Sequence, residues 1–149
     1  MRLRGPSLAL AIGLVAAACT AAAPSASPAS SQPATRDGAG LGEQTSQAGA
    51  VAIVATWLDG GTPAARVVLD THSVNLDGFD LKELARARLD GGAWVAPSAW
   101  DAPRGGHHRA GTLTFAALAP TALASARLVE LELRDVAVPS RLLRWERAR

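Results

Sequence analysis

Between residues 50 and 149, apolar and polar side chains alternate with a period of two in short runs, and glycine or proline interrupts each run. No other feature constrains the fold as tightly, because only an extended strand sends successive side chains to opposite faces. Val51, Ile53, Ala55 and Trp57 share a face of 51–59, after which Gly60-Gly61-Thr62-Pro63 turns the chain. Over 66–72, Val67, Leu69 and Thr71 oppose Arg66, Val68, Asp70 and His72. Near the C-terminus Val129, Leu131 and Leu133 alternate with Glu130, Glu132 and Arg134, and Leu143 and Trp145 continue the pattern after Val138-Pro139-Ser140. Residues 112–118 and 93–96 supply further strands, and Asp90-Gly91-Gly92 reads as a tight hairpin turn joining 85–89 to 93–96. The spacing of Asp80-Leu81-Lys82-Glu83 is that of a capping box and predicts about one helical turn before the strand at 85–89. About seven short strands within 100 residues imply an all-β domain, an immunoglobulin-like antiparallel β-sandwich over 50–149.

The preceding residues have a different composition. Residues 1–18 hold Arg2 and Arg4, an uncharged apolar stretch at 8–18, and small residues directly before Cys19, which is the layout of a secretory signal peptide. The stretch is too short to span a bilayer, which takes about 20 apolar residues. It resembles a bacterial lipoprotein signal, with Ala16-Ala17-Ala18-Cys19 as the lipobox. That resemblance implies a diacylated Cys19 at the mature N-terminus and a membrane partner reached through the lipid. Ala16 stands where leucine is preferred, so cleavage by an ordinary signal peptidase after one of the alanines stays open. Acylation would leave no free thiol anywhere in the chain, removing Cys-based catalysis, Cys-ligated zinc and blue-copper chemistry. Residues 20–49 are Ala, Ser, Thr, Pro or Gly at 23 of 30 positions, so 19–49 reads as a disordered tether holding the domain outside the cytoplasmic membrane.

Charge narrows the partners. The chain has 15 Lys+Arg against 13 Asp+Glu, and with Arg2 and Arg4 set aside the remainder balances at 13 against 13. A balanced body with no basic run gives no basis for a nucleic-acid partner.

Polar character concentrates in 70–81 and 100–111, and all three histidines lie there. Asp70-Thr71-His72-Ser73-Val74, Leu76-Asp77 and Asp80-Leu81, then Trp100, then Gly105-Gly106-His107-His108-Arg109 with Gly111, Leu113 and Phe115, form a pattern. In it the chain resembles a family of uncharacterised extracytoplasmic bacterial and archaeal domains with DTHSV-LD--DL and GGHHR-G-L-F segments. The resemblance implies a shared fold and a shared site, and no activity.

The residues themselves allow several chemistries. Asp70 and His72 share a strand face at i and i+2, so both can reach one divalent ion, with His107 or His108 supplying a further ligand from the second loop. Without Cys or Met ligands such a site suits zinc or copper(II). The alternative is that these histidines only hydrogen-bond the loops and hold them together. Arg104, Gly105, Gly106, His107, His108 and Arg109 can also form an anion cradle. An EF-hand reading of Ser73, Asn75, Asp77 and Gly78 fails at the twelfth place, which is Leu84, so the acidic residues are expected in Asx turns and a helix cap. No G-x-S-x-G elbow exists, and His72 and Ser73 face apart on a strand, so no catalysis is expected. Trp57 and Trp145 fit the core, while Trp94 and Trp100 cover an edge or offer a carbohydrate platform. The sequence thus points to an exported binding or assembly module, with metal binding at Asp70, His72, His107 and His108 as its sharpest form. The alternative is a structural or protein-interaction domain of the cell envelope with no metal and no catalysis.

Overall fold

The computed structural model describes residues 41–147. The signal peptide at 1–18, Cys19 and the tether up to residue 40 lie outside the described residues. What is described is mostly β, in two antiparallel sheets. The five-stranded sheet has the order β1 (Gln44–Ser46), β2 (Ala52–Trp57), β3 (Ala64–Asp70), β6 (His108–Thr114), β5 (Ala99–Trp100). The three-stranded sheet has the order β4 (Ala85–Leu89), β7 (Leu128–Arg134), β8 (Ser140–Glu146). Two short helices, α1 (Leu81–Leu84) and α2 (Pro120–Ser125), and a 3₁₀ turn at Leu76–Gly78 fill the connections. Among the described residues no helix is long and apolar enough to cross a membrane.

The period-two pattern accounts for the layering. In register, Ile53 faces Leu69 and Ala55 faces Val67, and all four are buried, while Val54, Val68 and Arg66 turn outward. The same parity buries Val129, Leu131 and Leu133 on β7 and Leu143 and Trp145 on β8. The inner faces of both sheets join one hydrophobic cluster. At its centre Trp57 stands 5.5 Å from the Phe115 ring and packs edge-on against Trp145 at 6.0 Å, tying the sheets together.

Three elements differ from the sequence reading. The ordered body starts before residue 50: Leu41 is buried, β1 pairs with β2, and Trp145 Nε1 donates to the Gly42 carbonyl. Residues 41–49, expected as the end of the disordered tether, are therefore part of the domain. The Asp90-Gly91 turn forms as expected, with both residues at positive φ and Gly92 N donating to Leu89 O. Its second arm, however, is not a strand. A strict two-residue hairpin would set Ala87 against Trp94, but the single bridge is Ala87 to Val95, and the full partner of β4 is β7. The third difference is α2, which begins at Pro120 where no helix was expected.

Candidate functional site

The two polar segments meet at one end of the sheets. Asp70, the last residue of β3, pairs in register with His108, the first of β6, and with Ala52 at the start of β2. Beyond that row the loops at 71–80 and 101–107 are stitched to each other. Thr71 N donates to the His107 carbonyl at 2.9 Å, and Asp77 Oδ1 accepts from Gly105 N at 2.7 Å. The buried Thr71 hydroxyl donates to Ala50 O at 2.6 Å and accepts from Ser73 N and Val74 N, closing the turn that follows β3. Asn75 caps the 3₁₀ turn by accepting from Asp77 N, and Asp80 caps α1 by accepting from Lys82 N. Asp77 and Asp80 thus serve as a brace and a helix cap, while Asp70 is left outside this bracing.

Arg109 organises the whole arrangement. On β6 it has the inward parity of Gly111 and Leu113, and it is only 5 % exposed. Its Nε donates to Pro103 O (2.9 Å), Nη1 to Leu76 O (3.1 Å) and Phe79 O (2.8 Å), and Nη2 to Ala102 O (3.3 Å). One guanidinium therefore holds carbonyls from both loops, with the Trp100 ring 5.8 Å away. Desolvating a cation without a carboxylate is tolerable here because its charge is spread over several carbonyl dipoles. Gly111 permits the close approach: a Cβ there would lie 2.5 Å from Ala102 N. Arg109 thus drops out of the expected anion cradle, since its donors are already engaged by carbonyls inside the fold. Gly105 and Gly106 do adopt positive φ, but the Gly105 N–H is taken by the chain's own carboxylate, Asp77.

A second inward arginine works the same way on the neighbouring loop. Arg141 of β8, 4 % exposed, donates to the carbonyls of Ser46, Ala48, Val51 and Val136. Burial lowers its pKa from the ordinary arginine value. This clamp holds 46–51 against the β7–β8 turn, and Thr71 holds the same segment from the other side through Ala50. A cleft of about 260 Å³ results, lined by Gln47, Gly49, Ala50, Ala52, Asp70, Thr71 and His72.

The histidines are what this bracing leaves over. His72, His107 and His108 are all exposed. His108 Nδ1 lies 3.7 Å from Asp70 Oδ2, close enough for an ion pair when protonated and too long for a hydrogen bond. His72 lies in the bend beyond β3, which ends at Asp70, so the two do not share a strand face as expected, although both line the cleft. His107 contributes its backbone carbonyl to the loop junction. Among the described residues, no three His, Cys, Asp or Glu side chains are grouped as a metal-binding set. Of the four expected ligands, Asp70 is thus brought beside His108 and shares a cleft wall with His72, without the four forming one centre. Sequence reading missed Arg109 and Arg141 as organisers, and Gln47 as a wall of the cleft. Comparison of the chain with protein-family descriptions, with curated proteins and with solved structures gave no match.

Proposed function

We propose that the chain is an exported, lipid-anchored protein of the cell envelope, and that its immunoglobulin-like β-sandwich is a non-catalytic binding module. Its contact surface is the loop end bearing Asp70, His72, His107 and His108. One observation carries this reading: two loops are locked together by Arg109, Asp77 and Thr71, yet the imidazoles they present make no hydrogen bond among the described residues. A rigid support with unengaged donor groups beside a cleft is what a binding site needs, since ordering costs are met before the ligand arrives.

The sharpest form of the proposal is a divalent cation, zinc or copper(II), held by Asp70 with His108 or His72 and completed by ligands from outside the chain. Zinc titration of the mature protein by calorimetry, with elemental analysis of the product, tests it. Stoichiometric uptake that disappears in Asp70→Asn/His108→Ala supports the cation. A second reading, an envelope protein-interaction domain without metal, is favoured by the lack of a three-ligand group among the described residues. It predicts no uptake and an unchanged melting temperature in that variant. Membrane attachment is tested separately: Cys19→Ser should move the protein from the membrane fraction to the soluble one.

A further inference from the structure

The outer face of the three-stranded sheet carries a second constellation, on elements other than those that bear the histidines. Arg86 and Arg88 project from β4, Glu130 and Glu132 from β7, and Leu142 and Arg144 from β8, in the register rows Arg88–Glu130–Arg144 and Arg86–Glu132–Leu142. Each guanidinium meets its glutamate through Nε: Arg86 with Glu132, Arg88 with Glu130, and Arg144 with the other oxygen of Glu130 at 3.0 Å. The Nη atoms of these three arginines donate no hydrogen bond among the described residues. Half-buried Trp94 packs on the two β4 arginines, its ring 4.6 Å from the Arg86 guanidinium and 4.3 Å from that of Arg88. The one-residue slip at the Ala87–Val95 bridge displaces Trp94 from the hairpin position opposite Ala87.

This geometry does more than a cross-strand ladder requires. A bidentate Arg–carboxylate pair would consume an Nη edge. Here the glutamates fix the guanidinium planes from the side, and the forked ends remain available on a face with 34 %, 27 % and 56 % of the Arg86, Arg88 and Arg144 side chains exposed. Glu130 is shared by two arginines, so its row keeps a net positive charge, while Arg134 at the end of β7 and Glu146 at the end of β8 offset each other on the same face. Arg86 and Arg88 are about 7 Å apart along the strand, and Arg88 and Arg144 about 10 Å apart across two strand spacings. The β4 edge beside them is taken up by the Val95 bridge, which disfavours docking of a peptide as an added strand there. We propose that this face binds a polyanionic polysaccharide: Arg86, Arg88 and Arg144 receive successive carboxylates, and Trp94 and the exposed Leu142 receive the faces of the sugar rings. The proposal does not depend on the reading of the histidine end.

The test uses the mature protein with polygalacturonate as probe, dextran as neutral glycan, and poly-L-glutamate as a polyanion without sugar rings. The expected result is binding of polygalacturonate that weakens with added salt, with dextran inert and poly-L-glutamate much weaker. Arg144→Gln leaves Glu130 its Arg88 partner, and Arg86→Gln leaves Glu132 the Ser140 hydroxyl, so both should fold, as melting curves can verify. Each should weaken polygalacturonate binding about tenfold, as expected for loss of a charge-assisted contact. Trp94→Phe should reduce the fluorescence change on binding, and Arg66→Gln, on the outer face of the other sheet, should leave affinity unchanged. The proposal is overturned by no binding, by equal affinity for poly-L-glutamate, or by an Arg66→Gln loss as large as that of Arg144→Gln.

Discussion

Replacing Arg109 by methionine is the most discriminating perturbation of this fold, because the new side chain is of similar length and apolar, and only the donors disappear. Four backbone carbonyls, two from each loop, then lose their partner: Leu76, Phe79, Ala102 and Pro103. Hydrogen bonds to a charged group contribute about 1.5–3 kcal/mol each, so at the lower end the four amount to about 6 kcal/mol. Three of the four bonds are only partly buried, so water can take up part of the lost hydrogen bonding, which leaves a net loss of about 2–4 kcal/mol. That is a large share of the roughly 5–15 kcal/mol expected for a domain. In urea unfolding at neutral pH the midpoint should fall by about 1–2 M. Amide exchange should quicken first at 71–80 and 101–107, while β7 and β8 keep their relative protection. Arg109→Lys should recover little, since an ammonium lacks the planar fork that spans both loops. A loss under about 1 kcal/mol with unchanged exchange in the two loops would refute the reasoning.

Three further outcomes follow from the same geometry. Gly111→Ala should destabilise by about 1–3 kcal/mol and shift the amide resonances of 101–107, because the new methyl group collides with the Ala102 backbone. Ala137 sits at φ 58° in the β7–β8 turn, so Ala137→Gly should stabilise by roughly 0.5 kcal/mol, the relief of left-handed strain exceeding the added chain entropy, as thermal melts can measure. The hydrogen bond from Arg88 holds Glu130 below its ordinary value of 4.5, and that from Arg86 does the same for Glu132. With folded pKa values below the unfolded ones, the stabilisation is complete above pH 4.5 and is lost as pH falls through the depressed values. Urea midpoints should therefore drop below pH 4.5, and less steeply in Arg86→Gln.

The elements legible in the sequence are those whose own residues carry the alternation. In β2, β3, β7 and β8 the inward positions are apolar throughout or nearly so, and one face of each is buried as expected. β1 was illegible because Gln44-Thr45-Ser46 has no apolar side chain, and its strand conformation comes from the free edge of β2 and from anchoring by Leu41, Trp145 and Arg141. In α2 the local cue was Pro120 at the first helical turn, overshadowed by the strand pattern running into Leu118. The Asp90-Gly91 turn was legible and the partner of its second arm was not, since turn chemistry fixes the bend while register depends on which strand offers the larger pairing, here β7.

The site was half legible for a reason that parity makes plain. On β6, Arg109 shares the inward side with Gly111 and Leu113, and on β8, Arg141 shares it with Leu143 and Trp145. A charged residue at an inward position is easily taken as the end of a strand, because charge is seldom fully buried. Both arginines lie where the apolar core gives way to loop carbonyls, and there a long stem with a forked cation can stay in the core and satisfy acceptors that no apolar residue could. The adjacent histidine takes the opposite parity: His108 points outward because Arg109 points inward, while His107 lies in the loop before the strand. The composition of the GGHHR segment therefore splits by face, its arginine consumed in folding and its imidazoles left at the surface, and only the latter remain as groups whose presence the fold itself does not explain.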